Sequence, residues 1–509
     1  MATFDGDKPV TTSYDLPVSE PLRALMRRGW GERESEVITA HESAPWSSER
    51  RAALSARFPG KRLLIPAGQF KVRNNDCDYT FRANSAFIHL TGMVAGDIVP
   101  ESILLFDPTP TGHEIILFVH PKNDRNLESF YRDRRHGEFW VGRYLALTEI
   151  KKKYQINARN IRELDEYLLA KKETLVHRGE DTQLDSGIAA HEKDGELTIA
   201  LSELRLIKDE YEVGEMRKAV DATIRGFADV VKSLPEAMNH PRGERVIDGT
   251  FYKRARTDGN ELGYNTIAAA GSHACVLHWI RNDGAALAGD LLLLDAGVEV
   301  ESHYTADITR TLPINGKFTA VQREIYEIVL ASQEAGIRAV KPGAKYRDIN
   351  NACMKVLAEG LERLGVLTVS ATESIDPNVG IHRRWSVHAS GHMLGIDVHD
   401  CAKARGEQYL DGSGLLFLRD HLHRDGGNEK EQGPFGDAEE NLQIRLLPHE
   451  NVGTVDPGEE SAETKERDQQ DVGRERIEKG IELAAGDGGD EAGAVHLHQR
   501  ALVIEQRGS

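Results

Sequence analysis

The chain has 509 residues, of which 39% are hydrophobic, and it carries a formal net charge of −18 at pH 7. This length predicts two or three domains, each with its own buried core. The negative charge argues against nucleic acid and anionic membranes as main partners, because both would repel it. No run of the roughly 18 apolar residues that a membrane span needs is present, and the amino terminus has no apolar leader, so we expect an untargeted chain without a membrane partner.

The spacing of the four cysteines indicates a protein of a reducing compartment. Cys77, Cys275, Cys353 and Cys401 stand far apart and form no CxxC pair. Widely spaced single cysteines are typical of reduced thiols rather than of a disulfide framework. The sequence therefore predicts a cytoplasmic protein.

The first predicted region comprises residues 1–205. The stretch "RNNDCDYTFRANSAFIHLTG" (73–92) is too polar and irregular to predict a regular element, whereas residues 157–173 indicate a helix. Strands alternating with helices predict an α/β domain. Three apolar segments predict its buried strands: "KRLLIPAG" (61–68), "ESILLFDP" (101–108) and "GHEIILFVHP" (112–121).

The second predicted region comprises residues 206–412 and is α+β, with helices covering a mostly antiparallel sheet built from hairpins. A long helix is expected to end at Pro235, a second to begin at Thr319, and a third to end at Gly365. Residues 290–300 and 304–314 predict a hairpin between the first and second helices. The first helix has an apolar stripe that indicates a core-facing surface: Val213, Met216, Val220, Ile224, Phe227 and Val231.

The third region, residues 413–509, differs in composition. It contains 22 Asp or Glu against 11 Lys or Arg, which amounts to −11 of the total charge. Clusters such as "AAGDGGDEAGA" bury too little apolar surface to offset the entropy of ordering the chain. We expect a poorly ordered acidic tail.

Two aspartates on the predicted hairpin indicate a metal site. The segment "LLLLDAG" leads directly into Asp295, and a carboxylate at the end of a buried strand must be paired, hydrogen-bonded or bound to a metal. Asp307 is expected on the returning strand, where cross-strand neighbours lie roughly 4.5–5.5 Å apart. Two carboxylates at that separation repel unless a proton or cation lies between them. On the hairpin alone, a structural hydrogen-bond network remains the alternative.

A histidine-rich segment follows later in the chain. "HASGHMLGIDVHD" (388–400) places His388, His392 and His399 at spacings of four and seven, together with two aspartates. A single histidine is more often structural, but three in so short a segment indicate a site. Carboxylates and imidazole together suit Mn, Fe, Co or Zn, and His392 is the expected imidazole ligand. His278 in "CVLHWIRND" is equally open to a structural and a functional interpretation.

Four segments together closely resemble the bacterial Xaa-Pro aminopeptidases (aminopeptidase P) of the pita-bread metallopeptidase superfamily: "HACVLHWIRND", "LLLLDAG", "ADITRTLPINGKFTAVQREIYEIVL" and "HASGHMLGIDVHD". Residues 73–92 resemble the signature of the creatinase-like N-terminal domain of the same family. The resemblance covers roughly residues 40–412. It implies a creatinase-like α/β domain over 1–205 followed by a pita-bread catalytic domain over 206–412.

The resemblance also implies the site. Asp295 would bind one of two divalent metal ions, Asp307 would bridge both, and His392 would bind the second, with manganese the expected metal. Three further histidines would line the substrate site: His278, His388 and His399.

The implied reaction releases the N-terminal residue from peptides with proline in second position, through a hydroxide that bridges the two ions. The resemblance further implies a homo-oligomer, either a dimer or a tetramer. Two alternatives remain open. One is a prolidase-type dipeptidase, and the other is a catalytically impaired pita-bread protein that only binds peptides.

The family pattern requires two further glutamate ligands, and here the sequence departs from it. After "CAKARGEQYLDG" (401–412) the resemblance ends. "TVDPGEE" with Asp456 and "RERIEKG" with Glu478 echo the missing motifs, but both come too late in the chain. Our hypothesis is that residues from Ser413 onward are out of frame or replaced, which leaves the last strands of the catalytic sheet in doubt.

Overall fold

The computed structural model describes residues 17–31, 37–341 and 344–405. The predicted acidic tail, 413–509, lies outside the described residues, as do Asp456 and Glu478. None of the helices in the described part of the chain combines the length and the apolarity needed to cross a bilayer.

The first region is built on a mixed sheet. Its strands are β1 (Arg62–Pro66), β2 (Val72–Asn74), β3 (Cys77–Asp78), β4 (Ile103–Thr109), β5 (Gly112–Val119), β6 (Asn157–Asn160) and β7 (Thr174–Val176). Five of them form one sheet in the order β6-β5-β4-β1-β7, while β2 and β3 form a separate hairpin. β4 pairs antiparallel with both β1 and β5, and the two outer strands pair parallel with their neighbours. The three predicted strands are confirmed as β1, β4 and β5.

Nine α-helices occur in the described part of this region. They are α1 (Glu20–Met26), α2 (Ala44–Arg57), α3 (Ser85–Thr91), α4 (Ser129–Arg132), α5 (Glu138–Val141), α6 (Leu147–Tyr154), α7 (Leu164–Leu169), α8 (Thr182–Gly187) and α9 (Asp194–Glu203). Strands and helices alternate along the chain, in agreement with the α/β prediction.

Two local predictions for this region were wrong. Residues 73–92 contain the end of β2, all of β3 and the fully buried helix α3, whose start is capped by the Asn84 side chain accepting from the Ala86 N–H. The polar residues of this stretch, which led to the prediction of no regular element, are the Asn84 cap and the neighbouring arginine and asparagine side chains. Residues 157–173 contain β6 and only six residues of α-helix, because Asn160 caps a short 3-10 turn between them.

The second region combines long helices with short antiparallel strands. Its elements are α10 (Glu210–Met238), α11 (Gly243–Asp258), β8 (Glu261–Leu262), β9 (Ile267–Ala270), β10 (Leu291–Ala296), β11 (Val298–Glu299), β12 (Ile308–Pro313), α12 (Ala320–Ala339), α13 (Tyr346–Arg363) and α14 (Ala371–Ser374). The order β12-β10-β9 is antiparallel throughout, and β8 pairs antiparallel with β11. α12 begins after the predicted cap Thr319, whose hydroxyl accepts from the Gln322 N–H at 3.2 Å. Gly365, at φ 68°, follows the end of α13 as predicted.

Helix α10 differs from its prediction in two respects. Pro235 lies inside the helix, which continues to Met238, because a proline removes one hydrogen bond without preventing the turn that follows. The buried face is also rotated from the predicted stripe, so that Ile224 is 55% exposed while Gly226 is buried. The reason is the close packing of α11: a Cβ on Gly226 would lie 2.6 Å from the ring of Phe251.

One hydrophobic core runs through both regions. It joins Leu63 of β1 and Phe106 of β4 to Leu292 of β10. Ion pairs cross the same boundary, including Arg50 of α2 with Asp209, the N-cap of α10, with nitrogen to oxygen distances of 2.5 and 3.0 Å. The first region is therefore in position to hold parts of the second region's site.

Candidate metal centre

The two predicted aspartates lie at one end of the three-stranded sheet. Asp295 is the fifth residue of β10 and is fully buried, while Asp307 immediately precedes β12 and is 3% exposed. Asp307 was predicted on the returning strand and lies one residue before it. The two aspartates are not direct partners in the ladder, where Asp295 is paired with Thr309. The chain between β10 and β12 also contains β11, which pairs with β8, so the predicted hairpin is not a simple one.

A tyrosine brings the two carboxylates together. The hydroxyl oxygen of Tyr264 lies 2.6 Å from Asp295 Oδ1 and 2.7 Å from Asp307 Oδ1. A phenol has one proton, so it can donate to only one of these oxygens at a time. Burial, followed by the charges of Asp295 and Asp307, raises the pKa of Tyr264 well above its ordinary value. Two buried carboxylates around a single neutral hydroxyl leave negative charge that a cation would balance.

The sequence interpretation missed Tyr264. Tyr264 follows β8 and Gly263, where a Cβ would lie 1.9 Å from the hydroxyl oxygen of Thr305, so only glycine allows this close approach. The glycine-tyrosine pair just before an apolar strand is the only local signal, and it does not distinguish a site residue from a core residue.

His392 approaches Asp307 from the other side. Its Nε2 lies 2.9 Å from Asp307 Oδ2, and its Nδ1 lies 3.0 Å from the carbonyl oxygen of Met393. A carbonyl only accepts, so Nδ1 carries a proton and donates to it. In the neutral ring Nε2 then has a lone pair directed at a carboxylate oxygen, which is repulsive unless a proton or metal ion lies between them. A backbone carbonyl that fixes the tautomer in this way is common for histidines that bind metal.

The three predicted substrate-site histidines occupy different positions. The ring of His399 is exposed and stands nearly perpendicular to that of His392, with centroids 4.3 Å apart. One ligand atom from each of Asp307, His392 and His399 lies within 4.8 Å of the others. His388 is partly exposed, with Nδ1 2.8 Å from the carbonyl oxygen of Ala389, and His278 is exposed in the turn after β9. The structure thus brings His399 to the two ligand candidates and places the other two histidines on accessible surface.

The segment that carries these histidines is an irregular loop held by buried contacts. The carbonyl oxygen of Gly395 accepts a hydrogen bond of 3.0 Å from the N–H of Thr305, which lies two residues before Asp307 in the chain. A Cβ on Gly395 would lie 2.2 Å from Asp400 Oδ2, so this glycine is required by close packing rather than by flexibility. Asp400 is 4% exposed and binds Arg205 at 2.8 Å and Lys208 at 2.9 Å. This aspartate holds the loop in place and is not a candidate ligand.

The N-terminal region supports the same loop. The Arg82 guanidinium donates to the carbonyl oxygen of Ile396 and to Glu299, both at 2.7 Å. Ser85, at the start of α3, hydrogen-bonds Asp397. Residues 73–92, which the sequence left without an element, therefore position the histidine loop.

The donor set fits divalent metal ions. The carboxylates of Asp295 and Asp307 and the imidazole of His392 lie side by side, and these are the ligand types that Mn, Fe, Co and Zn accept. Asp456 and Glu478, which echo the two further ligand motifs, lie outside the described residues.

Comparison with known proteins gives matches across both regions. Residues 214–418 match the model of metallopeptidase family M24, and residues 47–177 match that of the aminopeptidase P N-terminal domain. Xaa-Pro aminopeptidase 1 of Streptomyces coelicolor is 48% identical over 420 residues, which cover 80% of this chain and 84% of that protein. The Xaa-Pro aminopeptidase of Escherichia coli is 30% identical over 369 residues, covering 69% and 80% of the two chains.

Solved structures agree with these matches. Aminopeptidase P from E. coli with the inhibitor Pro-Leu has a TM-score of 0.60 and 29% identity, covering 72% of this chain and 84% of that one. The structure of zinc-substituted E. coli aminopeptidase P in complex with product gives a TM-score of 0.60 at 28% identity, with the same two coverages.

Proposed function

Because the chain belongs to the Xaa-Pro aminopeptidase family of M24 metallopeptidases, we propose that it releases the N-terminal residue from peptides with proline in second position. The observation that carries this proposal is the position of Asp307. Its Oδ1 shares the Tyr264 hydroxyl with Asp295, and its Oδ2 lies 2.9 Å from His392 Nε2. We assign Asp295 to one divalent ion, Asp307 to both ions and His392 to the second. Manganese is the metal we propose, since hard carboxylate ligands suit it.

Bound divalent ions would supply a water with a pKa lowered to about 7 and would polarise the scissile carbonyl. The residues of this chain hold the ligands in place. The hydrogen bond from His392 Nδ1 to the Met393 carbonyl leaves the lone pair on Nε2, where a metal could accept it. Tyr264 lies within hydrogen-bond distance of one oxygen of each aspartate. The other oxygen of Asp307 remains directed towards His392.

We assign the exposed histidines to the substrate. His399 stands beside His392 on the accessible side, so a peptide bound there would meet its imidazole first. An imidazole N–H within reach of the carbonyl can stabilise the charge that develops on its oxygen. His278 and His388 are proposed to contact the same peptide, and both are accessible for this role.

The proposal includes three features of the whole protein. We propose a cytoplasmic location, supported by the four cysteines, none of which forms a disulfide within the described residues. We propose a homo-oligomer, a dimer or tetramer, to be checked by light scattering of the purified chain. We also propose domains at 1–205 and 206–412, with a boundary just before α10, and these bounds remain predictions.

The test is hydrolysis of Xaa-Pro peptides with added manganese. A tripeptide with proline in second position should be cleaved, and the same peptide with alanine in that position should not. Faster cleavage of the tripeptide than of an Xaa-Pro dipeptide would argue against a prolidase. Asp307→Ala should abolish turnover, whereas Asp229→Ala, which removes an aspartate that pairs with Arg254 in the α10–α11 contact, should not. Peptide binding without turnover in the unaltered chain would refute the proposal and favour a binding protein.

A further inference from the structure

A second group of ligand-type side chains lies in the N-terminal region, outside the candidate metal centre. Ile103, the first residue of β4, is paired with Phe118 of β5. Continuing this register by two residues places Glu101 opposite His120. His136 comes from the turn between α4 and α5. The three side chains are 24%, 12% and 10% exposed in chain order. Three distant parts of the sequence therefore meet in one largely buried cluster.

The distances in this cluster are close to those between the ligands of one metal ion. Glu101 Oε2 lies 3.4 Å from His120 Nε2 and 3.7 Å from His136 Nε2. Charge-assisted hydrogen bonds are shorter, at about 2.7–2.9 Å. Ligand atoms at about 2.0–2.1 Å from a tetrahedral zinc ion lie about 3.3–3.5 Å from one another, which is close to what the cluster shows. All three ligand atoms lie within 4.8 Å of each other.

His136 gives an independent indication. Its Nε2 is buried and has no hydrogen-bond partner among the described residues. A buried polar atom without such a partner is costly, so a group that satisfies it is expected. Its other ring nitrogen lies 3.7 Å from Asp133 Oδ2. This distance is longer than a direct hydrogen bond, but a small shift of the ring on metal binding would let Nδ1 donate to Asp133, which is how carboxylates orient imidazole ligands in metal sites.

The backbone around the cluster is constrained as well. Glu101 has φ 64°, a left-handed conformation that is uncommon for a residue with a side chain. Its N–H donates to the carbonyl oxygen of Gly68 at 2.8 Å, which holds the strained residue in place. Asp133 Oδ1 accepts from the N–H groups of Arg135 and His136 at 3.0 and 2.9 Å, which fixes the turn that presents His136. Strain of this kind is concentrated at ligand-binding positions.

We propose that Glu101, His120 and His136 bind one zinc ion, with a water molecule as the fourth ligand. Two imidazoles and one carboxylate are a ligand set that zinc accepts. The ion would join the end of the β4–β5 hairpin to the turn before α5. The rings of His120 and His136 are stacked at 3.9 Å and inclined by 22°. Because a metal lies in the plane of each ring that binds it, zinc binding requires these rings to tilt apart.

The experiment must separate this site from the candidate metal centre. The full chain is prepared with Asp295→Asn, Asp307→Asn and His392→Gln together, stripped with chelator and dialysed against zinc chloride. We expect about one zinc per chain by elemental analysis. Adding His136→Ala to this variant should remove that zinc. Adding His191→Ala should not, because His191 lies outside the cluster and pairs with Glu173 at 3.1 Å.

Two further variants keep the result interpretable. Glu101→Gln preserves the shape of the side chain and removes its charge, so zinc should be lost while thermal unfolding of the zinc-free chain stays cooperative. Asp133→Asn should weaken zinc binding by about tenfold to a hundredfold, as changes behind a ligand do. Absence of zinc from the triple variant, or zinc retained after both His136→Ala and Glu101→Gln, would overturn the proposal. Neither outcome depends on peptidase activity.

Discussion

Replacing Tyr264 by phenylalanine tests how the buried carboxylates are neutralised. The change removes only the hydroxyl that lies 2.6 and 2.7 Å from Asp295 and Asp307, and the ring stays in place. A hydrogen bond to a charged group contributes about 1.5–3 kcal/mol. At about 2–4 °C per kcal/mol for a region of this size, the metal-free variant should unfold roughly 3–12 °C below the unaltered chain.

With metal bound, the same substitution should cost much less. Divalent ions then carry the charge that balances the two carboxylates, and the hydroxyl is no longer their main partner. We therefore expect manganese to stabilise Tyr264→Phe more than it stabilises the unaltered chain, as measured by thermal unfolding with chelator and with excess manganese.

Tyr304→Phe is the matched control. The Tyr304 hydroxyl donates to Glu212 at 2.9 Å, and both residues are buried, but this pair lies outside the proposed ligand set. Its effect on unfolding should be the same with and without manganese. Equal losses for Tyr264→Phe in the two conditions would refute the idea that a cation replaces the hydroxyl as partner of the aspartates.

Three other substitutions test the framework. Gly395→Ala should reduce turnover and stability together, because its Cβ would lie 2.2 Å from Asp400 Oδ2, and activity assays with thermal unfolding measure both. Burial acts to raise the pKa of Asp400, but Lys208 and then Arg205 outweigh it and hold that pKa below its ordinary value of about 3.9. The ionised Asp400 therefore stabilises the fold fully above about pH 5, and this contribution is lost as the pH falls through the folded-state pKa. Asp400→Asn should be about 3–5 kcal/mol less stable than the unaltered chain at pH 7. Between pH 7 and pH 3, urea unfolding should show a smaller loss of stability for the variant than for the unaltered chain. Gly226→Ala should cost about 1–3 kcal/mol in urea unfolding, since its Cβ would meet the Phe251 ring, and no loss would show that the two helices separate easily.

The ligand candidates could be predicted from sequence because burial of charge is visible there. Four leucines before Asp295 predict a buried strand, and a carboxylate at its end requires a partner. Tyr264 could not be predicted, since a tyrosine near an apolar strand is ordinarily a core residue with one satisfied hydroxyl. Its role depends on the close approach of Gly263 to Thr305, which is a contact between distant parts of the chain.

Among the helices, too, features set by local sequence could be predicted, and features set by distant contacts could not. α12 was predicted together with its cap because capping uses residues three apart in sequence. The buried face of α10 was misassigned because the packing of α11 selects small residues such as Gly226 over Ile224. Apolar periodicity alone does not contain that information.

The hypothesis of a shifted frame after residue 412 has its own test. Resequencing the gene across codons 405–420 should reveal an insertion or deletion, and an uninterrupted frame would contradict it. If the frame is intact, substituting Asp456 and Glu478 by alanine and measuring bound metal would show whether either residue replaces a missing ligand.

The most direct test of the central claim is crystallographic. Crystals of the full chain soaked in manganese should show an anomalous peak within about 2.0–2.3 Å of both Asp307 Oδ2 and His392 Nε2, with Asp295 bound to the same ion or to a neighbouring one about 3.5–4 Å away. Anomalous density only at other positions, with Asp307 and His392 in direct hydrogen bond, would contradict the account.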